Sequence, residues 1–66
     1  MNMTYLEIKR LKAKYTNNQL RDMYLDYVNN YITINTFSID NDLTIKKALQ
    51  VVSLGKSIHK ANLLLK

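Results

Sequence analysis

The run Tyr15-Thr16-Asn17-Asn18-Gln19-Leu20 decides how this chain folds. A Thr followed three residues later by Gln is a capping box: the hydroxyl accepts from the Gln amide, and the Gln side chain accepts from the Thr amide. Tyr15 and Leu20 flank the box at the two positions of a hydrophobic staple. The box predicts a helix starting at about Asn17, so any helix upstream must stop near Tyr15. Thr4-Tyr5-Leu6-Glu7 is a second box of the same kind, with Met3 and Ile8 as its staple pair. The first helix is therefore predicted over about 5–14, with Ile8, Leu11 and Tyr15 on one face and Lys9, Arg10 and Lys14 pointing away.

The second helix is predicted over about 17–30. Leu20, Tyr24, Tyr27 and Tyr31 follow a four, three, four spacing, the period of a helical stripe. Met23 and Val28 widen that stripe, and Arg21, Asp22 and Asp26 take the wet side. Three tyrosines in a row on one face invite comparison with a base-stacking platform. Residues at the edge of a core, rings buried and hydroxyls at the surface, give the same pattern and are the commoner case.

Between residues 32 and 42 the propensities conflict. Thr33, Ile34, Thr36, Phe37 and Ile39 would suit a strand, but a lone strand has nothing to pair with in a helical chain of 66 residues. A short helix over about 34–40, capped by Thr33 and burying Ile34 and Phe37, is the consistent choice. Asp40-Asn41-Asp42 then forms a turn of residues that tolerate left-handed geometry. Thr44 caps a last helix over about 45–63. Ile45, Ala48, Leu49 and Val52 form one apolar face of it, and Val51, Leu54, Ile58, Ala61 and Leu65 a second. The spacing crosses Gly55 without a change of phase, so the helix is predicted to continue through it despite a cost of ~1 kcal/mol relative to Ala. The fold class is thus all-α: one domain over 1–66, a small bundle of three to four helices.

At this length only ~60% of the unfolded surface is buried on folding. No Cys is present, so disulfides and thiolate metal sites are absent and a reducing, cytoplasmic location is expected. No apolar run approaches the ~20 residues of a membrane span, and no basic-then-apolar leader opens the chain. Eight Asn, eight Lys, six Ile and five Tyr against two Arg resemble the translation of an AT-rich genome. Ten Lys and Arg against five Asp and Glu give a net charge of +5. The stretch 43–66 carries five Lys, His59 and no acid. Such a surface attracts polyanions at long range.

Catalysis is not expected. Glu7 is the one Glu, His59 the one His, and there is no Gly-rich phosphate loop. Ser57 lies two residues from His59, which on a helix puts them on different faces. Asp40 and Asp42 resemble the start of a calcium loop, but Ile45 stands at the position that needs Gly and Val51 at the position that needs a bidentate acid. No cofactor or metal is expected.

The segment Thr33 to Val52 reads as short helix, tight turn, second helix, the organisation of a helix-turn-helix. Ser38 is small enough to pack against the second helix, and Leu43, Ala48 and Val51 supply apolar positions after the turn. Residues 31–60 also resemble the tail of small, mostly uncharacterised bacteriophage proteins. Those carry Leu-Thr-Val, Phe-Ala, Gly-Leu-Ser or Gly-Leu-Thr, and a helix ending in Leu-Gly-Arg-Lys-Ile-His. This chain has Ile32-Thr33-Ile34, Phe37-Ser38, Asp42-Leu43-Thr44 and Leu54-Gly55-Lys56-Ser57-Ile58-His59. Asp42 in place of Gly departs from the pattern. The resemblance implies a phage or mobile-element origin, hence a bacterial host cytoplasm, and a helix-turn-helix-like scaffold. It brings no settled activity.

Two functions follow as expectations. In the first the chain is a small regulatory protein that binds duplex DNA. Thr44, Lys46, Lys47 and Gln50 are then the solvent-facing residues at the start of the second helix of the motif, with Gln50 placed to read adenine. Lys56 and Lys60 add phosphate contacts further along. In the second, the chain is a phage effector that binds an acidic host or defence protein, such as a nuclease or polymerase subunit, and inhibits or redirects it. Val51, Leu54, Ile58, Ala61 and Leu65 form an apolar seam for a homodimer compatible with either.

Overall fold

A computed structural model describes residues 4–64. Four helices follow one another: α1 (Tyr5–Lys14), α2 (Asn17–Asn30), α3 (Ile34–Asp40) and α4 (Ile45–Leu64), with no strand among the described residues. The bundle is all-α. No helix of the described residues is long and apolar enough to cross a membrane.

Both capping boxes are formed. Thr4 Oγ1 accepts from Glu7 N at 3.2 Å while Glu7 Oε1 accepts from Thr4 N at 3.1 Å. Thr16 Oγ1 accepts from Gln19 N at 3.1 Å while Gln19 Oε1 accepts from Thr16 N at 2.9 Å. The two extended residues Tyr15 and Thr16 suffice to separate α1 from α2. The second staple closes on the core, where Leu20 is fully buried and Tyr15 packs against the same cluster. Met3, of the first staple, lies outside the described residues.

Thr33 caps α3, accepting from Thr36 N. Phe37 is fully buried, and the rings of Tyr27 and Tyr31 meet it edge-on at 5.5 and 5.3 Å. Tyr31 then donates its hydroxyl to Asp40 Oδ2 at 2.9 Å, which ties the end of α2 to the end of α3 and raises the Tyr31 pKa. Tyr27 and Tyr31 are thus packing residues, with their rings spent on Phe37. Ser38 is buried, as a position under a tight turn must be. In that turn Asp42 takes φ 56°, the left-handed region in which Asp is tolerated and Gly is preferred. The Leu43 amide donates back to the Ser38 carbonyl at 2.8 Å and closes the turn.

The central packing is between α2 and α4. Leu11, Leu20, Val51 and Leu54 form the buried core, with Ile8, Met23, Leu43 and Ile58 against it. Full burial of each such aliphatic side chain contributes ~1.5–3 kcal/mol. The helix continues through Gly55, and the reason lies in the partner helix. A Cβ at Gly55 would stand 2.2 Å from the Leu20 carbonyl oxygen and 2.7 Å from Tyr24 Cβ.

Two expectations are corrected here. Val51 and Leu54, assigned to a dimer seam, lie in the chain's own core against α1 and α2, because the chain folds α4 back over its first half. Of the same seam Ile58 is half-buried against that core, Ala61 is exposed, and Leu65 lies outside the described residues. Val28, assigned to the buried stripe of α2, is exposed.

Two substitutions test this packing by urea denaturation. Thr16→Ala should lower stability by ~1 kcal/mol through loss of the cap. Gly55→Ala should lower it by ~1–3 kcal/mol through overpacking, although Ala is the better helix former. A stabilised Gly55→Ala would show that α2 and α4 do not approach this closely.

Candidate functional site

An open cleft of about 280 Å³ lies between α1 and the start of α4, lined by Glu7, Arg10, Leu11, Lys14, Thr44, Lys46, Lys47 and Gln50. The α1 residues recur at the spacing of one helical face. From α4 come the cap residue and the first two turns. Leu11 is buried and forms the apolar back of the cleft. Four cations, Arg10, Lys14, Lys46 and Lys47, line the cleft together with one carboxylate, Glu7; Lys46 Nζ stands 3.9 Å from that carboxylate, while Lys14 Nζ lies over the Tyr15 ring, 5.5 Å from its centroid.

Thr44 positions the α4 side. Its hydroxyl accepts from Lys47 N at 3.1 Å, and its carbonyl accepts from Ala48 N at 2.9 Å. The hydroxyl proton stays free to donate to a ligand. Lys46 and Lys47 are exposed. Glu7 joins the two walls. Its Oε1 serves the α1 capping box, and its Oε2 accepts from Gln50 Nε2 and stands 3.9 Å from Lys46 Nζ. The Lys46 side chain is 74% exposed, so this ion pair is a weak, screened one.

The structure brings together Thr44, Lys46, Lys47 and Gln50 as the sequence suggested, but it corrects the role of Gln50. Rather than facing solvent, Gln50 is 5% exposed and its amide is engaged by Glu7. It is the polar anchor between α1 and α4, not a free base reader. Lys56 and Lys60 do not line the cleft; both are exposed on the later turns of α4. At 100° per residue Lys56 lies about 180° around the helix from Lys47, while Lys60 lies within about 40° of Lys46. Arg10 and Lys14 were overlooked as site residues. Their spacing from Glu7 and Leu11 was the available signal, since it puts all four on the face of α1 that the fold turns toward α4.

The charges divide by element. Every Lys of the described residues lies on α1 or α4, whereas Asp22, Asp26, Asp40 and Asp42 lie on α2, α3 and the turn. Glu7 is the one acid on the two basic helices. Its carboxyl is held below the usual glutamate value of 4.5, first by the Thr4 amide, then by the Gln50 side chain and the Thr4 hydroxyl, against a partial loss of hydration.

Two outcomes are expected. Gln50→Ala should lower stability, since it strips the Glu7 carboxylate of a donor and opens the junction of α1 with α4. Because the fold favours ionised Glu7, its stabilising effect is complete above pH 4.5 and is lost as the pH falls through the lower folded-state value. Wild type should therefore lose more stability than Glu7→Gln on acidification below that point, as read by urea midpoints. Parallel loss in the two proteins would show that Glu7 is not held in this way.

No protein-family model, curated protein or solved structure matches this chain.

Proposed function

We propose that this chain is a small, basic, phage-type DNA-binding protein. It engages duplex DNA with the helix-turn-helix-like segment formed by α3, its turn and α4. The observation that supports this reading is the gathering of Arg10, Lys14, Lys46 and Lys47 around one cleft at the start of α4. The first turns of a second helix are the part that enters the major groove in such motifs. Lys and Arg on its lips neutralise phosphates, and each phosphate neutralised releases condensed counterions.

Burial of Gln50 changes the kind of binding expected. Arg10 is the one cleft side chain with the forked geometry that pairs with guanine, since the lysines act as point charges. Phosphate contact therefore carries most of the affinity, with Thr44 and the lysines fixing the register on the backbone. The same burial favours a second reading, in which the cleft takes an acidic surface of a host or defence protein that the chain inhibits or redirects.

A gel-shift series from ~50 to ~200 mM salt separates the two. Wild type should shift duplex at the low end and lose affinity steeply with salt. Lys47→Ala, Arg10→Ala and Lys14→Ala should each lower the salt slope by about 1, while Lys56→Ala should change it less. Absence of a shift at ~50 mM salt would refute DNA binding and leave the acidic protein partner.

A further inference from the structure

The two capping boxes are built alike but differ in one atom's charge. Gln19 closes the box of α2, and Glu7 closes that of α1. The Gln box has the same pair of reciprocal bonds as the Glu box, so the cap itself does not require a carboxylate. A negative charge near a helix start does favour the helix dipole. Yet α2 has no acid in its first turn and forms a longer helix than α1. What distinguishes the two positions is their surroundings. Gln19 is exposed, whereas Glu7 stands in the basic cleft with Oε2 turned to Gln50 and Lys46.

We propose that Glu7 is a built-in attenuator of the cleft: its fixed carboxylate, held among the lining cations, repels an entering phosphate and lowers the affinity for it, setting how strongly the protein holds DNA of any sequence. This role rests on the DNA-binding reading. A phosphate entering beside Lys46 meets a carboxylate that Thr4 and Gln50 hold in place by hydrogen bonds and that cannot swing away without giving up both of them. The phosphate must therefore approach a like charge or leave Lys46 partly neutralised. Either way the cleft acts with fewer effective cations than the four that line it. The attenuation is independent of base sequence, because it acts on the backbone contact. A net charge of +5 attracts duplex of any sequence at low salt, and one fixed anion at the contact surface weakens that attraction.

Glu7→Gln tests this directly, because Gln keeps the capping bonds already seen at Gln19, and the Gln50 amide can turn its oxygen to accept from the new NH2 group. Measured by fluorescence anisotropy on a short random duplex, Glu7→Gln should bind roughly three- to tenfold tighter than wild type at ~50 mM salt. Its salt slope should be steeper by about 1, the signature of one more phosphate neutralised. Equal or weaker binding by a folded Glu7→Gln overturns the proposal. A second measurement does not depend on that variant. Since a phosphate beside Lys46 also meets the Glu7 carboxylate, 3.9 Å from Lys46 Nζ, Lys46→Ala should lower the wild-type salt slope by less than Lys47→Ala does. Equal losses from the two variants overturn it as well. The two failures are distinguishable: a wild type that binds no duplex at ~50 mM salt refutes the DNA reading and this role together, whereas a wild type that binds while Glu7→Gln gains nothing refutes the attenuator alone.

Discussion

The contact between the α2 backbone and α4 at Gly55 is the constraint on which the other arrangements rest. With hydrogen at that position, the α4 backbone lies against the Leu20 carbonyl, closer than a side chain of any size allows. Leu20 is itself fixed, since its amide closes the first turn of α2 on the Thr16 carbonyl at 3.0 Å. The corner at Tyr15 and Thr16 thus sets where Leu20 stands, and Leu20 sets where α4 can pass. Val51 and Leu54, within one turn of Gly55, are then carried into the core beside Leu11. The first two turns of α4 are left against α1, and the cleft is the space between them.

What was legible in the sequence was local. Each cap is a bond between residues three apart, so Thr4, Thr16, Thr33 and Thr44 mark their helix starts without knowledge of the fold. Phe37 and Ser38 were readable for a similar reason, because a seven-residue helix has few ways to bury an aromatic residue. Gly55 was readable only in part. Its apolar phase showed that the helix continues, but the need for hydrogen arises from the backbone of a helix 35 residues away in sequence. Periodicity within one helix carries no information about which neighbour comes close. The same limit explains Val51 and Leu54. A continuous seam was visible, yet whether this chain or a second copy covers it depends on how α1 and α2 stand.

Gln50 shows the limit at the site itself. Amphipathic patterning assigns a polar residue at that position to solvent, and at the level of α4 alone the assignment is reasonable. The burial comes from Glu7, 43 residues away, whose capping box leaves one carboxylate oxygen to spare. Nothing in the spacing around Gln50 announces this partner. Of the four predicted lysines, Lys46 and Lys47 stand at the cleft, on the exposed start of a helix that follows a turn, whereas Lys56 and Lys60 lie beyond it. Arg10 and Lys14 were missed because they were judged against the α1 core face, without the second helix that gives their own face a function.

The geometry of the cations also constrains how a polyanion can lie. Lys47 and Lys56 point to opposite sides of α4, separated by ~14 Å of helix, so no single straight path along α4 meets both. Arg10 and Lys14 are one turn apart on α1 and face Lys46 and Lys47 across the cleft. In the DNA-binding reading a phosphate track therefore crosses from α1 to the first turns of α4 rather than running down the long helix. Lys60, close to the azimuth of Lys46, adds to the field from a distance of ~20 Å along α4 rather than to the same contact. Asp22, Asp26, Asp40 and Asp42 lie on the other elements and in the turn, so within α1 and α4 Glu7 is the one acid such a track meets. In that reading the track meets the one place among the basic helices where a carboxylate is fixed, at Glu7 beside Gln50 and Lys46.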